Sequence, residues 1–239
     1  MQSRTFMFNL RVTYKGSVTR RKANHAAGFS RDAADLPHEL SDADLPGLFD
    51  DPEVSITEQL VRGLRLPEGA ERRSLHLDSC LLQTVGMPGA VIRAAKWKDV
   101  RFTECDLANM EVRGLTAVRV EFLGCRMTGL RAGESNWQNA LFSGGDQRYA
   151  QFRFSNFQSA EFDGCDLQDA DFYGADLRGC VFRRCNLRNV ELSKAKLSGC
   201  DLRGSAVDGL RLTAEDIAGA IVDAAQALQF APLLGIRIL

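Results

Sequence analysis

Seven cysteines are the residues with the most chemistry open to them: Cys80, Cys105, Cys125, Cys165, Cys180, Cys185 and Cys200. Thiolates can ligate a metal, pair as disulfides or act as nucleophiles. Their spacing argues against all three. Each falls at a multiple of five, the count is odd, and no Cys-x-x-Cys occurs. The three histidines, His25, His38 and His76, precede them all. A zinc site or an activated thiol needs such partners close by. A cysteine that recurs in one fixed slot reads instead as a small buried hydrophobe. Neither metal nor cofactor is expected, and free thiols point to a reducing cytoplasm.

A second group is acidic. Glu161, Asp163, Asp166, Asp169, Asp171 and Asp176 follow one another with no Lys or Arg between them. A run of this kind can meet a basic partner surface. Its bland reading is repeat composition, because these acids also follow a repeating unit.

The unit has five residues. Every fifth position from Leu77 to Leu212 is apolar except Gln147, over 28 positions. Well-formed copies are Ala170-Asp171-Phe172-Tyr173-Gly174, Ala175-Asp176-Leu177-Arg178-Gly179 and Cys200-Asp201-Leu202-Arg203-Gly204. A period of five suits neither helix nor strand. It suits a chain that turns a corner with each unit, with the small and large residues inward and three polar positions outward. Recurrent glycines, such as Gly164, Gly174 and Gly199, fall at the corners, where glycine is conformationally permissive. Phe102, Phe122, Phe142, Phe162 and Phe182 lie twenty residues apart, so four units make one coil and like stacks on like. Seven coils at ~4.8 Å give a rod about 34 Å long.

The chain here resembles the pentapeptide-repeat family, whose unit is A(D/N)Lxx, over about residues 75–212. The resemblance implies an all-β solenoid, a right-handed quadrilateral β-helix. Ala117 and Ala132 at large positions, and Gln147 after Gly145, depart from the pattern, and a looser coil is expected near 145–149.

The flanks differ. Residues 1–31 carry seven bases and no acid, while 32–61 carry nine acids, no base, and Pro37, Pro46 and Pro52. Residues 1–53 therefore read as a basic arm and an acidic linker without regular order. Residues 54–74 read as an irregular coil capping the open end. Residues 213–239 form the other cap. Thr213 and Asp216 should open a short helix, Ala224 to Leu234 a second one, and Ile236 to Leu239 a closing strand. From Ile217 to Leu239 the charges are Asp223 and Arg237 alone, so this end should be covered, by the last coil or by a second copy in a homodimer. No apolar run of about 20 residues is present to span a membrane.

A filled rod offers no concavity for catalysis, so a non-catalytic binding protein is expected. Resemblance to quinolone-resistance members implies DNA mimicry, with DNA gyrase as partner and the 161–176 acids as the candidate contact. The charge balance opposes strong mimicry. Duplex DNA would carry about 20 charges over such a rod, whereas residues 75–212 hold 18 bases and 17 acids. The alternative is a protein-interaction scaffold unrelated to DNA. Its candidate contacts are the apolar residues at outward positions beside the Phe ladder: Leu81, Leu123, Leu141 and Val181. Direct nucleic-acid binding by the basic arm has no interleaved aromatics to support it.

Overall fold

The structure, a computed structural model, describes residues 29–45 and 47–237. The five-residue period becomes a β-solenoid of about seven turns. Every fifth residue from Asp99 to Gly209 is a left-handed corner, with φ between 52° and 73°. Four corners per turn bring residue i over residue i+20 in parallel register. Leu82, Phe102, Phe122, Phe142, Phe162 and Phe182 form one such column, and Leu77, Trp97, Ala117, Trp137 and Phe157 another.

The inward columns make the core. Phe102, Phe122, Phe142, Phe162 and Phe182 stack with centroids 4.9, 5.0, 4.5 and 4.6 Å apart, their planes within 11° of parallel. These spacings match the separation of stacked strands, so ring stacking and backbone pairing reinforce each other. Ala117 is tolerated at a large position because Trp97 and Trp137 flank it in the stack and both reach the Phe122 ring, at 6.3 and 6.1 Å. All seven cysteines are free and buried in the small inward slot. Burial pushes the Cys180 thiol up to about 12 and raises Cys80 and Cys200 as well, which suppresses thiolate chemistry.

Four expectations need correction. The coil at 145–149 stays in register, with Arg126, Asp146 and Asp166 bridged in line. Gly145 lets the backbone approach Cys125 so closely that a Cβ there would collide with the Cys125 carbonyl oxygen. Gln147 fills the space, fully buried, its Nε2 donating to the Gly144 carbonyl at 3.0 Å.

Residues 54–74 are a regular coil rather than an irregular one. Ile56 pairs with Leu77 and Val61 with Leu82, an offset of 21, while Glu71 pairs with Val91, an offset of 20. One extra residue between Arg65 and Glu71 shifts the phase upstream and hides the repeat. The end of the rod is plugged by Phe49, buried from the turn at 47–50.

The described part of the linker, 31–45, is packed. It runs along the outside of the Phe-ladder columns and joins the sheet as Ser41–Asp42, paired with Gln59 and Leu60. Ala34, Leu36 and Leu40 are buried. The basic arm up to residue 28 lies outside the described residues.

At the C-terminal end, Thr213 and Asp216 exchange hydrogen bonds but hold only turns. The α-helix is Ala224–Phe230, continued by the 3₁₀ turn Ala231–Leu234 with Pro232. Its capping box is Asp223 with Gln226, and the Gln226 Nε2 also donates to the Leu202 and Ser205 carbonyls at 2.7 and 2.8 Å, closing the last coil. Ile236 and Arg237 are irregular, and the rest of the expected closing strand lies outside the described residues.

Candidate interaction surface

The acidic run is brought together on adjoining sides of the rod, but each side chain has partners already. The Asp at the second unit position accepts from the backbone N–H two residues on: Asp166 from Gln168, Asp171 from Tyr173 and Asp176 from Arg178, at 2.9–3.3 Å. This Asx-type bond braces the corner, which is why the unit favours Asp or Asn there. Bases absent between the acids in sequence arrive from neighbouring coils. Arg184 grips both Asp163 oxygens at 2.6 and 2.7 Å. Arg148 reaches Asp166 at 3.7 Å and Arg153 reaches Asp171 at 3.1 Å. Lys196, one coil away, reaches Asp176 at 3.6 Å, and Arg178, two residues on in the same coil, holds it at 2.7 Å. Asp169, at a corner, accepts from Gln168, and Glu161 is buried beside Arg183 and Arg31. The result is a surface of matched charges, far from the unbroken negative field of a phosphate backbone.

The same matching depresses several carboxyls. The Arg148 guanidinium, 2.6 Å away, holds Asp146 down at about 2 against the opposing effect of burial. Arg178 and Arg203 lower Asp176 and Asp201 in the same way.

The apolar set expected at outward positions is largely covered. Leu81 is fully buried beneath Leu40 and beside Leu60. Val181 is buried in register between Glu161 and Asp201, and Leu123 and Leu141 are half-buried. These residues therefore do not form an exposed apolar face.

The structure exposes a different group, which the repeat pattern conceals. Among the described residues, the large apolar side chains exposed away from the two ends are Tyr149 (55%) and Phe154 (56%). They stand at successive corners of one coil, with φ of 60° and 55°. A bulky side chain is unusual in that conformation, where glycine or asparagine normally sits. Phe154 meets Tyr173 edge-on at 5.4 Å, and its ring lies over Gly174, where a Cβ would come within 2.7 Å of it. Arg153 covers the Tyr173 ring at 4.8 Å, and Lys194 approaches it at 5.4 Å. Aromatics at the last unit position, where Gly, Asn and Asp recur, are the sequence signal for this cluster.

A groove of about 420 Å³ crosses the strands Ser74–Asp78 and Ala95–Thr103. It is lined by His76, Lys96 and Lys98, with Lys98 tied to Asp78 at 3.5 Å. Among the described residues, no group of three His, Cys, Asp or Glu is placed to hold a metal ion. Nor is any helix among them long and apolar enough to cross a membrane.

Comparison with known proteins bears on the repeat. The profile for a pentapeptide repeat region matches residues 95–172, and that for pentapeptide repeats, eight copies, matches 165–204. No curated protein matches the chain. A trypsin-treated point variant of QnrB1, described as a plasmid-mediated fluoroquinolone resistance protein, is 22% identical, with a TM-score of 0.38, covering 79% of this chain and 91% of its own. Full-length QnrB1 is 20% identical, with a TM-score of 0.28 and coverages of 82% and 95%. HetL of Nostoc sp. strain PCC 7120, involved in heterocyst differentiation regulation, is 15% identical, with a TM-score of 0.24 and coverages of 66% and 87%. With matched five-residue units running from residue 95 to 204, each turning a corner of one continuous solenoid, this region of the chain is a pentapeptide-repeat solenoid.

Proposed function

We propose that the chain is a non-catalytic, cytoplasmic protein-binding rod that docks through the Tyr149–Phe154 corner. The observation that carries this reading is the pair of exposed aromatics held at corners, with Arg153 and Lys194 beside them. The left-handed φ is shared by every corner from Asp99 to Gly209; what sets this pair apart is a large ring left exposed at such a corner. Tyr, Phe and Arg are also the residues on which interfaces depend most. Around the cluster Glu134, Asp146, Asp166, Asp169 and Asp171 offset Arg131, Arg148, Arg153 and Lys194. That balance favours a protein partner over a nucleic acid.

The partner proposed is a type II topoisomerase such as DNA gyrase, on the family resemblance. The contact would be made by the aromatic corner, since five of the six acids at 161–176 are held by bases and Asp169 accepts from Gln168. Titrating purified protein into gyrase-catalysed supercoiling, with and without a fluoroquinolone, tests the partner. Inhibition or drug protection at micromolar protein supports it, and no effect at large molar excess removes it.

We also propose that the C-terminal cap pairs two copies. Leu228, Leu233, Leu234 and Ile236 are exposed together there, in a segment with few charges.

A further inference from the structure

We propose that the outer side of the rod between Leu60 and Glu121 is a docking groove for an extended peptide of a partner protein. Residues 31–43 fill it in cis as an exchangeable occupant. The inference stands apart from the topoisomerase reading.

The contacts of the segment define the groove. The Asp35 N–H donates to Asp99 Oδ1 at 2.9 Å, the Ala34 N–H to Glu121 Oε1 at 3.4 Å and the Asp32 N–H to Asn139 at 3.2 Å. The Arg31 guanidinium reaches Glu121 at 3.2 Å. Ala34, Leu36 and Leu40 point into cover, Leu40 onto Leu60 and Leu81. Until Ser41 the segment is therefore held by side chains of the rod and not by a backbone ladder.

The rod is complete without it. Asp99 is gripped by Arg119 through two bonds of 2.6 Å, and Glu121 by Arg101 at 2.8 Å. Lifting the segment leaves both carboxylates paired, so no uncompensated buried charge resists release. The Phe ladder lies on the inner side of the same strands and stays enclosed. What release uncovers is a strip with two carboxylate acceptors, spaced for successive backbone N–H groups, ending in the apolar pair Leu60 and Leu81. The ligand it fits is an extended chain with a cation, a small residue three positions on, and apolar residues five and nine positions on. Arg31, Ala34, Leu36 and Leu40 follow that pattern.

The test uses a labelled synthetic peptide of residues 29–45 and the full-length chain. Arg31→Glu with Ala34→Glu sets the internal segment against Glu121. This variant should bind the peptide saturably and about tenfold more tightly than the wild type, which must open first. A scrambled peptide should not bind, and adding Glu121→Ala should abolish binding. The seven core thiols, unreactive while the coils are folded, report that the variant is intact. Leu81→Cys in the otherwise wild-type chain gives an independent reading: the introduced thiol should react with a thiol reagent while the seven stay protected. Peptide binding by neither chain, or an introduced thiol that reacts only as the core thiols do, overturns the proposal. A wild-type chain that associates by exchanging its own segment with a second copy overturns the partner peptide as occupant.

Discussion

At the residue scale, the repeat makes each inward side chain answerable to the residue above and below it. Cys165 sits 2% exposed, with Cys185 in the next coil. Cys165→Arg would place an unpaired charge in a filled stack and should abolish cooperative folding, read as loss of the thermal transition. Gln147 is the opposite case. Its Oε1 is buried with no partner among the described residues, while its Nε2 makes one bond. Gln147→Leu removes an orphaned acceptor and forfeits one ordinary hydrogen bond, so it should stabilise by about 1 kcal/mol. A lower melting temperature would mean that the bond to Gly144 outweighs the orphan.

The carboxyls set the acid response. Asp146, Asp176 and Asp201 are depressed in the folded chain. Their contribution is therefore complete above the unfolded value of about 4 and is lost as pH falls through their folded values. Melting temperature should drop between pH 4 and about 2. Asp146→Asn keeps an acceptor for the Arg148 N–H and should flatten part of that drop while lowering stability at neutral pH.

At the element scale, the central coils were legible and the ends were not, for definite reasons. From Leu77 onward the large inward residues recur without a slip, and all are buried, the least so at the last inward position, where Leu212 reaches 9% exposure. Upstream, a single extra residue between Arg65 and Glu71 conceals a coil whose inward residues, Ile56, Val61 and Leu66, still recur every five. The 31–43 segment carries four acids and Pro37, which read as a linker. Its order comes from Asp99 and Glu121, which lie 64 and 87 residues from the backbone groups they hold. The C-terminal cap turned on Gln226, whose reach to two coil carbonyls no local pattern announces. Gln226→Leu should destabilise by about 2 kcal/mol, through the cap and two stranded acceptors, measurable by urea denaturation.

At the scale of the whole molecule, stacking decides what the surface can do. The acidic run looked unpaired because its bases lie about one coil away: Arg153 for Asp171, Arg184 for Asp163, Lys196 for Asp176. The twenty-residue period already contained that information. The exposed aromatics left a signal in their residue type at two corner positions, but their clustering with Tyr173, Arg153 and Lys194 across coils was not legible until the side chains were placed. The cap makes a separate prediction: the chain should sediment as a dimer at micromolar concentration, and Leu234→Glu should give a monomer of unchanged melting temperature.

The central claim is that an aromatic corner, and not acidic mimicry, makes the partner contact. Calorimetric titration of DNA gyrase with the wild type, with Tyr149→Ala/Phe154→Ala and with Asp163→Asn/Asp166→Asn tests it directly. The wild type should bind, the aromatic pair should lose at least about tenfold in affinity, in keeping with interface hot spots, and the acidic pair should change little. Full binding by the aromatic variant with loss in the acidic one would contradict the claim.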